Sequence, residues 1–286
     1  MSFLEAPSSL VSAAGRAPGR ITLVGAGPGA VDLLTLRAIR CLGQADVVFY
    51  DRLVDPEALA YARADAEKVF VGKEVGAHSW PQSRIDAAIV EAALAGKQVV
   101  RLKSGDPSIF GRAAEEIAAA RAYGIPVDVV PGVTAASAAA ASLRQPLTER
   151  GLTDRVVLAT ATCRPGETMS DVADIARPGT TLVFYMAMRE LDRLARQLMA
   201  VGVVPDQPVV IAAQVSRPNA ASLQTTLETM AADCSAAGLR NPAVIIIRLP
   251  RSAEAARRGQ TRPDSGAKAE DKQGVTCLDL SRFNVS

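Results

Sequence analysis

Ile21-Thr-Leu-Val-Gly-Ala-Gly-Pro-Gly29 joins an apolar strand to a glycine-rich turn, and a helical pattern opens just beyond it at Asp32. Strand, glycine turn and helix in that order form the opening unit of an α/β fold with a ligand-binding edge. Two readings of the turn stay open at this point. Gly25, Gly27 and Ala30 fit the loose G-x-G-x-x-G/A pattern, and Asp51 ends the next strand where a ribose-binding acid is expected, which suits a nicotinamide or flavin enzyme. Alternatively the glycines only let the chain turn tightly, since glycine reaches positive φ without steric cost.

Outward from this turn, short apolar runs alternate with helical stretches, the pattern of α/β architecture rather than of a sandwich or a bundle. The first half predicts strands over 21–25, 46–51, 68–72, 98–103 and 127–130, separated by helices over 32–43, 56–64, 82–95, 113–123 and 134–143. Ser79 and Gln82 stand at capping-box spacing before the third helix. The second half predicts strands over 155–162, 181–187, 209–215 and 243–249, a weaker one over 222–227, and helices over 189–202 and 228–237. A turn-rich join over 148–153 places the domain boundary: an N-terminal α/β domain over 20–150 and a C-terminal one over 151–250. Residues 1–19, mostly Ala, Ser, Pro and Gly, and residues 251–286, without a sustained apolar period, read as flexible tails.

Composition excludes several classes. With 286 residues the chain has room for two domains, and its 49% hydrophobic content contains no stretch approaching a membrane span. Cys41, Cys163, Cys234 and Cys277 are far apart with no C-x-x-C spacing, so neither a disulfide framework nor a zinc site is expected, and a reducing cytoplasm fits. A net charge of +2 gives no footprint for nucleic acid, and a single histidine argues against a histidine-dependent triad. No metal site, nucleic-acid partner or membrane partner is expected.

In open α/β sheets ligands sit beyond the carboxyl ends of the strands. Here those ends carry Gly25-Ala-Gly-Pro-Gly29, Tyr50-Asp-Arg52, Gly72-Lys73, Lys103-Ser-Gly-Asp-Pro107 and Pro131-Gly-Val-Thr-Ala135. Each has a bland alternative: Asp51 as a cap, Lys73 as a solvated charge, Ser104 to Pro107 as a plain β-turn. Their shared position on one topological edge is what favours a site.

Taken together, Val24 to Gly29, Tyr50-Asp-Arg-Leu-Val54, Val71-Gly-Lys73 with His78 and Pro81-Gln82, Arg101 to Pro107, Phe110-Gly-Arg112, Pro131 to Ala135 and Phe184-Tyr-Met186 resemble the tetrapyrrole methylases. The resemblance runs from about Arg20 to Leu249 and is strongest to members that methylate uroporphyrinogen III. It implies two α/β domains with the active site in the cleft between them, usually in a homodimer. It also implies transfer of methyl groups from S-adenosylmethionine to carbons of uroporphyrinogen III, giving precorrin-2 on the route to sirohaem and cobalamin, with S-adenosylhomocysteine as by-product. Residue by residue, it assigns cofactor contact to Pro28, Ser104, Gly105, Asp106, Ile109, Thr134, Ala135, Met186 and the position of Val215. Asp51 falls at the proton acceptor and Lys73 at the proton donor. For a substrate carrying eight carboxylates, Arg52, Arg101, Lys103, Arg112 and Arg150 are candidate cations.

Departures gather in the second half. Ser104 and Ser108 replace a glycine and an aromatic, Glu149 replaces a histidine, Thr160-Ala-Thr162 replaces Thr-Gly-His, and Val215 replaces a glycine whose absence could crowd the cofactor wall. These leave Asp51 and Lys73 intact. They keep open a related methyltransferase acting on another tetrapyrrole, or a cofactor-binding module without catalysis, beside the oxidoreductase suggested by the glycine turn alone.

Overall fold

The computed structural model describes residues 18–72, 80–161, 172–251 and 277–279. The chain divides into two compact units, one ending at Ala135 and the other beginning at Ala136.

In the first unit, β1 (Arg20–Gly25), β2 (Val47–Tyr50), β3 (Glu67–Phe70), β4 (Gln98–Lys103) and β5 (Val127–Val130) form one sheet in the order β3-β2-β4-β1-β5. Every pair is parallel. Parallel strands are covered on both faces, which is why they read as apolar runs. Alternate residues divide between two cores. Ile21, Leu23, Phe49 and Val99 pack against Ile85, Ile89 and Ala93 of α2 (Gln82–Leu94) and Ala120 of α3 (Ala113–Arg121). Val24, Val48, Val100, Leu102 and Val130 pack against Ala38 and Leu42 of α1 (Leu36–Leu42). Burying a leucine or isoleucine in either layer contributes roughly 2 kcal/mol.

Two expected helices differ in form. The stretch from Asp32 breaks into a 3₁₀ turn, Val31–Leu33, followed by α1, because Thr35 is extended and its hydroxyl accepts from the Ala38 amide at 3.1 Å, restarting the helix. The stretch from Pro56 is a 3₁₀ helix, Pro56–Tyr61, opened by the Asp55 side chain accepting from the Glu57 amide. The capping-box residue Ser79 lies outside the described residues, and Pro81, the N-cap of α2, makes no side-chain cap bond.

The second unit holds α4 (Ala135–Ser142), which opens at the boundary, then β6 (Arg155–Thr160), α5 (Val172–Ile175), β7 (Thr180–Tyr185), α6 (Leu191–Ala200), β8 (Pro208–Ala213), β9 (Ala221–Thr226), α7 (Met230–Ala236), β10 (Ala243–Leu249) and β11 (Cys277–Asp279). Its sheet runs β11-β9-β8-β10-β7-β6, with only the β6–β7 pair parallel. Leu191, Leu194, Ala195 and Leu198 repeat at helical spacing and seat α6 on Phe184, Ile211 and Ile245. The β11 strand, which pairs with β9, falls in the stretch whose composition reads as a tail: three residues of ladder leave too short a pattern to recognise.

Candidate functional site

The chain passes from β1 over β4 to β2 and from β4 over β1 to β5, with α1 on one face of the sheet and α3 on the other, so the loops after these adjacent strands lead to opposite faces. Carboxyl ends of neighbouring parallel strands whose connections part to opposite faces form the binding edge of an open sheet. The two loops are tied across it. The Gly105 amide donates to Gly27 O at 2.6 Å, the Gly27 amide to Gly105 O at 3.2 Å, and the Ala26 amide to Lys103 O at 2.7 Å. A third loop closes on them: a Cβ at Gly132 would lie 2.2 Å from Gly105 O and 2.9 Å from Gly25 Cα. Only glycine allows that approach. Asp106 secures it, its Oδ2 accepting from the Gly132 amide at 3.0 Å and its Oδ1 from the Ser108 amide at 2.7 Å.

The glycines of the opening turn therefore serve close backbone contact along the sheet edge. Helix α1 starts only at Leu36, beyond a 3₁₀ turn, and so does not bring an amide-rich N-terminus directly onto the turn as a dinucleotide site requires. Beside Gly105, at φ +69°, a Cβ would meet nothing within 4 Å, so open space adjoins the tied loops. Pro28 is buried, and Ser104, Asp106, Ile109, Thr134 and Ala135 are half-buried around this edge. Backbone groups, a hydroxyl and an apolar side chain beside open space fit a mixed polar and apolar ligand such as a sulfonium nucleoside.

Met186 and Val215 belong to the second unit. β7 and β8 both run antiparallel to β10, so Met186 and the residues after Ala213 emerge on one edge of that sheet. Met186 (φ 54°), Gln214 (φ 52°) and Ser216 (φ 62°) are all non-glycine residues in the left-handed region. Such residues are uncommon, and strain of this kind gathers at functional edges. Met186 is 49% exposed, whereas the Val215 side chain is buried. At the start of α4, the Ala136 amide donates to Tyr185 Oη at 3.0 Å.

Asp51 emerges from β2 on the face that carries Phe49. Its Oδ1 accepts from the Leu53 amide at 3.0 Å and its Oδ2 from Arg101 Nη2 at 3.3 Å, with 29% of the side chain exposed. One carboxylate is thus fixed in a single orientation while keeping access to solvent. Lys73 lies outside the described residues. The preceding Gly72 packs tightly on the Asp51 loop, a Cβ there falling 2.8 Å from the Arg52 nitrogen.

Arg101 and Lys103, expected to meet substrate carboxylates, are instead buried and direct their charge at Glu116, which is 0% exposed. Arg101 Nε donates to Glu116 Oε1 at 3.1 Å, and Lys103 Nζ donates to both carboxylate oxygens at 2.8 and 2.7 Å. Arg101 Nη1 also donates to Leu102 O at 2.8 Å, and Gln82 Nε2 reaches Glu116 Oε1 at 3.3 Å. The physical reason is balance: an uncompensated charge beneath a sheet costs several kcal/mol, so two cations on one face of β4 draw an acid to them. Burial pushes the Lys103 ammonium below the usual lysine range, Arg101 pushes it the same way, and Glu116 opposes both.

Arg52 is exposed. Arg112, also exposed, sits at φ 57° before α3 and donates to Glu115 at 2.7 and 2.5 Å. Arg150 is exposed in the second unit, where its neighbour Glu149 pairs with Arg248 at 3.6 Å. Sequence reasoning missed Glu116. Its signal was present: an acid on the same helical face as Ala113 and Ala120, opposite a buried strand with Arg101 and Lys103 at alternate positions. Among the described residues no group of three or more His, Cys, Asp or Glu side chains is placed to hold a metal ion, and no helix is long and apolar enough to cross a membrane.

Comparison with known proteins identifies the family of the chain. Residues 20–231 match the model of the tetrapyrrole (corrin/porphyrin) methylases. The chain is 45% identical over 230 residues to a uroporphyrinogen-III C-methyltransferase of Paracoccus denitrificans, covering 80% of each protein. It is 42% identical over 244 residues to a siroheme synthase of Psychrobacter sp., covering 85% of this chain but 50% of the relative. It thus spans about half the length of the siroheme synthases it matches. Among solved structures, the uroporphyrin-III C-methyl transferase of Thermus thermophilus complexed with S-adenosyl homocysteine superposes with a TM-score of 0.68 at 37% identity, over 80% of this chain and 92% of that one.

Proposed function

The chain belongs to the tetrapyrrole (corrin/porphyrin) methylase family, and from that premise we propose that it is a uroporphyrinogen-III C-methyltransferase. It methylates uroporphyrinogen III through precorrin-1 to precorrin-2, the methylation that sirohaem formation requires. S-adenosylmethionine, when bound, supplies an electrophilic methyl group on a sulfonium. A pyrrole carbon of the substrate would take that methyl, the carbon–carbon bond forming as the carbon–sulfur bond breaks with its electron pair left on sulfur. The methylated pyrrole system, left with one added positive charge, would then release a proton.

Asp51 is the acceptor of that proton in this reading. The observation that carries it is the fixed, partly exposed Asp51 carboxylate, held by the Leu53 amide and Arg101 on the edge where the loops after β1, β4 and β5 are tied together. Ser104, Gly105, Asp106, Ile109, Thr134, Ala135 and Pro28 hold the methyl donor from the first unit. The resemblance gives the same role to Met186 and to the position of Val215. Lys73 is the proton donor. Arg52, Arg112 and Arg150, all exposed, meet substrate carboxylates. Arg101 and Lys103 act from beneath the surface, since Glu116 already engages their charge. The reading includes a homodimer in the cytoplasm, of which the oligomeric state is open to light scattering.

Anaerobic incubation of the purified chain with S-adenosylmethionine and uroporphyrinogen III, followed by mass analysis of the tetrapyrrole, tests it. Gain of methyl mass to the doubly methylated product supports the reading. Unchanged substrate, with S-adenosylhomocysteine shown to bind, moves the assignment to another tetrapyrrole, for which the exposed Glu149 beside Arg150 is the motivating feature.

A further inference from the structure

Glu116 has no part in the chemistry just described, yet it is fully buried and gathers three side chains from two other elements. We propose that Glu116 is a positioning residue, holding Arg101 and Lys103 under the sheet edge and setting, through Arg101, the orientation and charge balance of Asp51. The inference rests on Asp51 being the proton acceptor.

Arg101 reaches the two carboxylates with different atoms of one rigid guanidinium: Nε lies 3.1 Å from Glu116 Oε1, and Nη2 lies 3.3 Å from Asp51 Oδ2. A planar fork anchored at one end aims its other end, which a flexible ammonium cannot do. Nη1 is fixed as well, donating to Leu102 O at 2.8 Å. The guanidinium therefore has little freedom to follow Asp51, and Asp51 Oδ2 must come to it. Lys103 supplies the compensating charge, its Nζ within 2.8 Å of both Glu116 oxygens.

Among the described residues, Asp51 pairs with Arg101 of β4 and through it adjoins Glu116 of α3 and Lys103 of β4, with Arg52 next to it in the chain and Asp86 of α2 behind Glu116; the neutral Gln82 amide donates to Glu116 and Asp86. Arg101, Lys103, Glu116 and Asp51 sum to zero when all are ionised. Removing the negative charge of Glu116 leaves a net cation that favours the Asp51 carboxylate, whereas removing the positive charge of Lys103 leaves Glu116 undercompensated and disfavours it. The two changes act on Asp51 with opposite sign. A residue that merely holds the fold together predicts no such opposition.

The experiment measures methyl transfer at saturating uroporphyrinogen III and S-adenosylmethionine against pH, anaerobically, for wild type, Glu116→Gln, Lys103→Met and the double variant. S-adenosylhomocysteine binding by calorimetry reports whether each variant is folded. The expected result is an acidic limb displaced to lower pH in Glu116→Gln and to higher pH in Lys103→Met, by roughly half a unit or more each way. The double variant returns toward the wild-type position. If Glu116→Gln does not fold, the upward displacement in Lys103→Met and its absence in Lys103→Arg carry the test alone. Limbs that coincide in all folded variants, or move the same way, overturn the role of Glu116. Wild-type-like turnover by Asp51→Asn overturns instead the reading on which it rests.

Discussion

Asp106 and Gly132 are joined side chain to backbone, Oδ2 accepting from the amide at 3.0 Å, at the place where a Cβ on Gly132 would come 2.2 Å from Gly105 O. The loops after three neighbouring strands thus meet backbone against backbone at Gly25, Gly105 and Gly132. Asp106, which the resemblance assigns to cofactor contact, also has a structural task, and substitutions there act on both.

Gly132→Ala forces backbone apart at Gly25 and Gly105. We expect about 2 kcal/mol or more of lost stability in urea unfolding, with S-adenosylhomocysteine affinity reduced at least roughly tenfold as the loops separate. Unchanged stability would show that the strand ends can spread freely.

Asp51→Asn keeps an acceptor for the Leu53 amide but turns a neutral donor toward Arg101. Methyl transfer should fall by roughly a hundredfold or more, the usual scale of a lost general base. Isothermal titration should find S-adenosylhomocysteine affinity within about threefold of wild type, a difference under about 1 kcal/mol. Retained turnover would remove Asp51 from the mechanism.

The lowered Lys103 pKa gives a signed pH dependence. Between the depressed folded-state value and the ordinary lysine value of about 10.5, the unfolded chain binds more protons, so this group's contribution to stability rises with pH across that window. The stability difference between wild type and Lys103→Met should shift toward wild type as pH rises toward the ordinary lysine value of about 10.5 in chemical unfolding. A flat difference would mean that Lys103 keeps an ordinary affinity for its proton in the fold.

Arg52 and Arg112 are exposed, and Arg112 pairs with the exposed Glu115. Replacing either by Ala should leave thermal stability within about 0.5 kcal/mol, as surface changes usually do. It should raise KM for the tetrapyrrole several-fold, with a weaker effect at high salt because exposed charges are screened. An unchanged KM for both would place the substrate's carboxylates elsewhere.

The sequence by itself determined the alternation of buried apolar strands with helices, because parallel strands covered on both faces leave uninterrupted runs such as Val47-Val-Phe49. It also determined the placement of glycines, Asp51 and Asp106 at strand ends, since turn residues punctuate the apolar pattern. Boundaries within 31–36 escaped it, as one Thr35 hydroxyl bond decides where α1 begins. Tertiary structure alone decided the fate of the charges. Arg101 and Lys103 read as free cations in the chain, yet they become the buried partners of Glu116, an acid close in sequence but carried on the next helix. A linear pattern records which side chains are charged. Which of them keep their charge for a ligand depends on the packing of α3 against β4, where the cost of burying an unpaired ion selects the partner.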